Sequence, residues 1–192
     1  VTYAAINSVW GTSGADVFAG DEVGNILHYD GRGWRISEVG DMMIPPVTGL
    51  WGTSGTNIFA AASYIRHYDG AEWNRMETDS NLVSVWGTSG NDVFAVGSGG
   101  TVLHFDGAEW TRMETGAERT DDLNTVWGSS ENDIFAGGYD GTILHYDGTD
   151  WTRMNSGTDE YIEDMWGNSP DDVFAVGSEG IILRYDGTEW TE

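Results

Sequence analysis

One carboxylate recurs at the same place along this sequence. An Asp-Gly pair, followed by a Trp four residues after the Asp, occurs five times and supplies Asp30, Asp69, Asp106, Asp147 and Asp186. Two carboxylates about 5–10 Å apart in unlike environments can hydrolyse a glycosidic bond. Repetition gives all five residues the same environment, so we interpret each as a structural corner that accepts the amides of its own turn. We predict no catalytic residue.

A serine motif recurs in the same way. Gly-Thr-Ser-Gly stands at 11–14, 52–55 and 87–90. It lacks the final Gly of a nucleophile elbow, precedes a predicted strand instead of a helix, and has no single His as its partner. We therefore interpret it as a turn and predict that the protein is not an enzyme.

Composition excludes several further functions. The chain has 192 residues with 32 acidic and 8 basic side chains, a net charge of −24, no Lys and no Cys. Nucleic acid is not an expected partner, because binding a polyanion requires cations. P-loop and Schiff-base chemistry, disulfides and zinc–thiolate sites need the missing residue types. No apolar run is long enough to insert into a membrane.

The acidic excess allows three interpretations. It forms a solvated surface that keeps the protein soluble, it binds calcium at clusters such as Asp121-Asp122 or Asp171-Asp172, or it attracts a cationic partner. No EF-hand spacing is present, and we predict no metal. Val1 follows no Met or signal peptide, which we interpret as the start of a mature or excised piece.

Five copies of one pattern cover the chain. Each copy runs from Trp-Gly through Asp-Val-Phe-Ala and Ile-Leu-His-Tyr-Asp-Gly to a second Trp; between 86–113 and 127–154, 18 of 28 residues are identical. The predicted copies are 5–48, 49–81, 82–121, 122–160 and 161–192. The opening residues are Trp10, Trp51, Trp86, Trp127 and Trp166, and the closing residues, assigned to the structural corner, are Trp34, Trp73, Trp110, Trp151 and Trp190.

Each copy divides into four short apolar runs, which in the third copy are 82–86, 92–96, 101–106 and 109–113. Such runs are too short for free-standing helices and predict strands, with the Asp-Gly pair as the hairpin between the third and fourth. A lone four-stranded sheet leaves both apolar faces in water, whereas sheets packed in a ring bury both.

The predicted fold is therefore all-β. We expect one five-bladed β-propeller domain over residues 1–192, closed as a single ring, with four antiparallel strands per blade and one repeat per blade. An open solenoid is the alternative. Val1–Tyr3 is expected to complete the last blade.

Histidine raises the question of metal ligation. His28, His67, His104 and His145 share one repeat position, which Arg184 occupies in the fifth copy. Third strands lie roughly 10 Å further from the ring axis than first strands, so equivalent positions on neighbouring blades fan apart. We expect these histidines to pack or to form hydrogen bonds, and we predict no cofactor.

The pattern Trp-Gly…Asp-Val-Phe-Ala…Ile-Leu-His-Tyr-Asp-Gly-x-x-Trp resembles the repeats of microbial β-propellers, many of them in extracellular proteins. Its Asp-Gly-x-x-Trp corner is similar to the Asp-box of sialidase-type propellers but one residue shorter. In that family the box is a structural corner away from the active site. The Trp-Gly opening and Gly-x-x-Trp close also resemble tectonin and tachylectin repeats, and this likeness implies carbohydrate binding.

The copies differ mainly in two kinds of loop. Turns between first and second strands, and corners between third and fourth, are nearly constant and lie on one face of an up-and-down blade. Loops between second and third strands and links between blades vary and lie on the other face, where specificity can reside unless the loops have simply drifted. The candidate ligand-binding residues there are Asp21, Glu22, Met42, Met43, Tyr139, Asp140, Tyr161 and Glu179.

Three functions remain open. The first is a non-enzymatic binding module, extracellular or at the cell surface, that recognises a glycan or a protein on the variable loops. The opening tryptophans then either fill the blade interfaces or line sugar pockets. The second is a purely structural module of a larger surface protein, and the third is a five-bladed glycoside hydrolase. We predict the first, acting as a monomer.

Overall fold

The fold consists of five four-stranded antiparallel sheets, one for each repeat. The computed structural model describes residues 3–38, 45–78, 80–116 and 121–192. Each sheet takes its strands in chain order, and we number the sheets blade 1 to blade 5. This arrangement confirms the predicted all-β class with five blades of four strands.

The strands of the five blades follow one another without exchange between sheets. They are β1 (Ile6–Ser13), β2 (Asp16–Asp21), β3 (Ile26–Tyr29) and β4 (Trp34–Glu38) in blade 1; β5 (Gly49–Ser54), β6 (Asn57–Ala61), β7 (Ile65–Tyr68) and β8 (Trp73–Met76) in blade 2; β9 (Leu82–Ser89), β10 (Asp92–Gly97), β11 (Thr101–Phe105) and β12 (Trp110–Arg112) in blade 3; β13 (Leu123–Ser130), β14 (Asp133–Gly138), β15 (Ile143–Tyr146) and β16 (Trp151–Met154) in blade 4; and β17 (Ile162–Ser169), β18 (Asp172–Gly177), β19 (Ile182–Tyr185) and β20 (Trp190–Thr191) in blade 5.

A single 3₁₀ turn, Ser178–Gly180, is the only helical element in the described part of the chain. None of the described residues forms a helix that could cross a lipid bilayer.

The opening Trp of each of the first four repeats packs against a glycine of the next blade. A Cβ added at Gly128 would lie 2.7 Å from the ring of Trp86, and one added at Gly167 would lie 2.7 Å from Trp127. The same contact joins Trp10 to Gly52 and Trp51 to Gly87, each at 2.9 Å. Glycine within a strand permits such close approach. These four indoles therefore fill blade interfaces, and the sugar-pocket alternative does not fit them.

Four apolar cores lie between consecutive blades. In blade 1 the side chains of Trp10, Phe18 and His28 stand opposite one another across β1, β2 and β3 and face blade 2. Phe18 is 1% exposed, and its counterparts Phe59, Phe94 and Phe135 are equally buried. Each core joins this face to the first strand, the second strand and the outer aromatic residues of the next blade.

The expected closure between blade 5 and blade 1 is not seen among the described residues. The inner strands β1, β5, β9, β13 and β17 contact one another in that order, with no comparable contact between β17 and β1. Ile6 and Val9 of β1 are 51% and 67% exposed, and Trp166 of blade 5 is 58% exposed. Tyr3 is fully exposed and belongs to no strand, while Val1 and Thr2 lie outside the described residues. Two apolar faces therefore remain open.

The Asp-Gly corners share one hydrogen-bonded geometry. Oδ1 of Asp106 accepts the amides of Ala108 at 2.9 Å and Glu109 at 3.0 Å, and Gly107 has a φ of 92°, which favours glycine. The same two acceptor contacts occur at Asp30, Asp69, Asp147 and Asp186. This corner turns the chain from the third strand into the fourth and so places the closing Trp.

These contacts favour the ionised carboxylate. The Thr188 hydroxyl, followed by the amides of Glu189 and Thr188, lowers the pKa of Asp186 to about 2. Backbone amides likewise lower the pKa of the other four corner carboxyls. Each corner is therefore strongest when its Asp is charged.

The Trp–Gly contact can be tested with a matched pair of substitutions. We expect Gly128→Ala to destabilise the fold by about 1–3 kcal/mol more than Gly11→Ala, because overpacking at Gly128 pushes against Trp86. A Cβ at Gly11 would meet the carbonyl oxygen of Asp16 at 2.6 Å, just as one at Gly128 would meet that of Asp133 at 2.8 Å, so the indole is the contact in which the two sites differ. Urea unfolding measures both free energies. Equal destabilisation would show that the indole contact contributes nothing.

The corner carboxylates predict a defined loss of stability in acid. Because the pKa of Asp186 is lower in the folded chain than in the unfolded one, its contribution is complete above about pH 4 and is lost as the pH falls towards 2. Asp186→Asn keeps an acceptor oxygen but not the charge. We expect it to be less stable than the native chain at pH 6, with the difference disappearing near pH 2.

Urea unfolding between pH 6 and pH 2 measures this difference. Glu189→Gln is the control, since its carboxylate accepts no hydrogen bond among the described residues of the same turn. A stability difference for Asp186→Asn that stays constant over this range contradicts the assignment.

Candidate functional site

The two ends of the blades differ in how their loops are held. On one face, each turn between first and second strands packs against the corner of the same blade, so that a Cβ on Gly107 would lie 2.9 Å from Asn91. On the other face, each loop between second and third strands is bonded to a link: the Tyr139 amide donates to the Asp122 carbonyl at 2.9 Å. We call this second face, formed by those loops and links, the variable face.

The histidines belong to a hydrogen-bonded group within each blade. Nε2 of His104 lies 2.7 Å from Oδ1 of Asp92, and the Thr88 hydroxyl donates to the other oxygen of that carboxylate. The imidazole stacks on Phe94 with ring centroids 4.4 Å apart. These contacts give His104 a role in holding three strands together, as expected for packing or hydrogen bonding.

The same group recurs with substitutions. His28 and His145 each lie 2.7 Å from the carboxylate of Asp16 and Asp133. Arg184 donates from Nε to Asp172 at 2.9 Å in blade 5. The carboxylate lies twelve residues before each of these partners. This constant spacing could have indicated the pairing from the sequence. Within the described ranges, no group of three or more acidic or His side chains could hold a metal ion.

The blade 1 candidates do not form a free binding surface. Asp21 is fully buried, and its Oδ1 accepts the amides of Val23 at 3.0 Å and Asn25 at 2.8 Å. Its carboxylate therefore shapes its own loop, and the prediction that it contacts a ligand does not fit this burial. Glu22 is exposed and accepts the Ala5 amide at 3.1 Å.

Met42 and Met43 lie outside the described residues. Their proposed role in ligand binding stays a prediction.

Two predicted residues from different repeats come together on the variable face. Tyr139 lies after β14 and Tyr161 lies in the link before β17, yet their ring centroids are 4.4 Å apart. The two side chains are 38% and 43% exposed. The structure therefore presents an aromatic pair to solvent where blades 4 and 5 meet.

Backbone hydrogen bonds fix the loops around this pair. The Ser178 amide donates to the Tyr161 carbonyl at 3.0 Å, and the Tyr161 amide donates to the Ser178 hydroxyl at 3.1 Å. That hydroxyl donates to Glu160 at 2.5 Å, and the Gly141 amide donates to the Glu160 carbonyl at 3.0 Å. One link thus holds the β14–β15 and β18–β19 loops in a common arrangement.

Asp140 and Glu179 occupy equivalent positions in these two loops. They are the only non-glycine residues in the described chain with positive φ, 50° and 55°. Gly99 has the same position in blade 3, with a φ of 67°, so blades 4 and 5 place an exposed carboxylate where that blade has no side chain. This conformation costs roughly 1–2 kcal/mol per residue.

The site is uniformly acidic. Its loops and link, at 139–141, 155–161 and 178–181, contain Asp140, Asp159, Glu160 and Glu179 and no Arg. We call the two tyrosines together with Asp140 and Glu179 the tyrosine–acid patch. It offers flat aromatic surface and negative charge, which suit a cationic ligand.

Two grooves lie elsewhere, between the outer strands of blades 2 and 3. Their volumes are about 410 and 510 Å³, and Glu77 and Trp110 line both. The indole of Trp110 donates to the sulfur of Met76 at 3.3 Å. Its polar atom is therefore used within the fold, and we assign no function to these grooves.

The comparison with known proteins identifies the fold. The chain is similar to YCF48 bound to a D1 peptide (16% identity, 96% of this chain, 64% of that chain, TM-score 0.72). It is also similar to the WD40 β-propeller domain of Doa1 (12%, 96%, 66%, 0.78) and to U3-55K (12%, 98%, 63%, 0.82). The chain thus spans about two thirds of the length of these proteins.

No family model and no curated protein matches the sequence. At these identities the structural likeness establishes the fold alone. The chain is a β-propeller in its blade architecture, while the Asp-box and tectonin resemblances are not confirmed.

Proposed function

We propose that this protein is a non-enzymatic interaction module that binds a basic segment of a protein partner at the tyrosine–acid patch. The observation that carries this proposal is the exposed pair formed by Tyr139 and Tyr161, in loops that also carry the exposed carboxylates of Asp140 and Glu179. Tyrosine is enriched at protein interfaces and supplies large contact area with little loss of conformational freedom. The hydrogen-bonded loops also favour binding, because a preformed site loses little conformational entropy when a partner binds.

Charge selects the kind of partner. The chain carries −24, and the patch itself contains no cation, so an acidic segment is repelled and a basic one is attracted. Arginine and lysine side chains also stack favourably on aromatic faces. The proposed ligand is therefore a peptide segment that contains Arg or Lys.

One of the similar structures holds a peptide. YCF48 is described as bound to a D1 peptide, which supports the general ability of this fold to present a peptide-binding surface. The present sequence is only 16% identical to it, so neither that peptide nor its contacts are transferred. The predicted extracellular or cell-surface location stays a prediction.

The test begins with an array of short peptides whose net charge ranges from acidic to strongly basic. We expect the native chain to bind basic, Arg-containing peptides, with affinity falling as salt rises from about 50 to 200 mM, because ions screen the attraction. A parallel glycan array examines the predicted alternative ligand. Binding of neutral sugars but of no peptide contradicts the proposal.

Two variants then locate the site. Tyr161→Ala is expected to weaken binding of the best peptide by about tenfold or more, as loss of an aromatic contact residue does, while the backbone bonds of Tyr161 remain. Glu179→Gln should weaken it less and reduce its salt dependence. Glu131→Gln is the matched control, because Glu131 lies in the β13–β14 turn on the opposite face. Fluorescence anisotropy measures all three, and equal loss in Glu131→Gln would exclude the patch.

A further inference from the structure

The two open faces of the blade array are apolar. On blade 5, Trp166 and Ile182 are each 58% exposed and Val176 is 42% exposed. On blade 1, Ile6 and Val9 are 51% and 67% exposed. We call these the blade 5 face and the blade 1 face. Contiguous apolar surface of this kind marks a place where something else packs.

The repeats show what covers such faces elsewhere in the molecule. Ile26, Ile65 and Ile143, which correspond to Ile182, are 0% exposed because the next blade covers them. The residues that correspond to Ile6 and Val9 are likewise no more than 9% exposed. They are Val47, Leu82, Leu123 and Ile162, and Leu50, Val85, Val126 and Met165. Each open face is thus one half of an interface that is made four times within the chain.

The outer strand of blade 1 also lacks a contact that outer strands of other blades make. Trp110, Trp151 and Trp190 each donate their indole N–H to a methionine sulfur of the preceding blade, at 3.3–3.5 Å. Trp34 occupies the same position in blade 1; it is 40% exposed, and no such bond to it occurs among the described residues. The blade 1 face therefore has the features of a surface that packs against a preceding blade.

A second copy of this chain fits these faces less well than further blades do. Two arcs of five blades would form a ring of ten, whereas propellers typically have four to eight. Each copy also carries −24, so two copies repel each other. The chain covers 63–66% of the similar propellers with TM-scores of 0.72–0.82. Five blades that make up about two thirds of a ring correspond to a ring of seven or eight blades.

We propose that two or three further blades of the same repeat type pack between the blade 5 face and the blade 1 face and close the ring. Trp166 then contacts the Trp-Gly glycine of the first added blade. Gly11, whose nearest neighbours now lie in its own hairpin, receives the opening Trp of the last added blade. This inference does not depend on the proposed ligand.

The first experiment asks whether the blade 1 face is open in the isolated chain. Val9→Thr and Val85→Thr make the same near-isosteric change at equivalent positions, one 67% and one 6% exposed. We expect Val85→Thr to lower the urea midpoint and Val9→Thr to leave it unchanged while reducing binding of the dye ANS, which reports exposed apolar surface. An equal fall in both midpoints would overturn the proposal, because the face would then already be covered.

Sedimentation of the native chain identifies what covers the face in that case. A compact monomer that binds no ANS means that the five blades close on themselves. A dimer that Trp166→Asp dissociates means that a second copy is the occupant. Either result overturns the proposal, whereas an ANS-binding monomer supports it.

The second experiment supplies the missing blades. Residues 122–160 form a unit in which Leu123 corresponds to Ile162, so one, two or three extra copies can be inserted after Glu160 without changing the register of the links. We expect the seven- or eight-bladed chain to lose ANS binding, because its end faces cover each other, and the six-bladed chain to retain it.

A substitution in the extended chain tests the contact itself. Trp166→Ala should leave the urea midpoint of the native chain unchanged and lower that of the closed seven- or eight-bladed chain, in which Trp166 packs on Gly11. The matched change is Trp127→Ala, which should lower the midpoint in both chains because Trp127 packs on the glycine of the blade that follows it in each of them, Gly167 in the native chain. Continued ANS binding by the six-, seven- and eight-bladed chains alike contradicts the proposal.

Discussion

The contact of an indole in one blade with a glycine in the next is the constraint on which the rest of this structure depends. A four-stranded sheet of this composition is apolar on both faces, and packing against neighbouring sheets stabilises it by burying them. Trp86 on Gly128 and Trp127 on Gly167 set how closely two sheets approach. Because every blade carries both halves of the contact, the repeat specifies an array of blades and not a single sheet.

Each blade has one end whose hydrogen bonds are nearly the same in every repeat and one end whose loops differ in sequence. The pair of Asp92 and His104 holds second and third strands together, and the corner at Asp106 fixes the start of the fourth. These groups recur in blade after blade, so that end of the molecule is nearly uniform. The opposite loops carry no such requirement, and their sequences have room to differ.

Repetition made much of this fold predictable. The strands, the hairpin at each Asp-Gly pair and the stacking of blades all follow from a pattern that occurs five times. What could not be predicted from the sequence was which loops of neighbouring blades meet, how each loop folds, and whether the ring closes. Tyr139 and Tyr161 meet only because Glu160 and Ser178 lock neighbouring loops. Aspartate usually lies at the surface of a protein, but the loop of Asp21 folds over its side chain and buries it. Closure of the ring depends on the curvature of the blade array, and this curvature cannot be predicted from the spacing of the tryptophans along the sequence.

The tyrosine–acid patch and the open faces lie in different parts of the blade array. The patch lies where blades 4 and 5 meet, an interface whose core is complete, with Phe135 and Ile162 both 0% exposed. Its geometry is set by that core and by the link that crosses it, whereas the open faces lie on blade 1 and on the far side of blade 5. Adding blades therefore changes the stability of the array more than the shape of the patch. A ligand that binds the patch contacts residues of both blades, so it should resist the separation of blade 5 from blade 4.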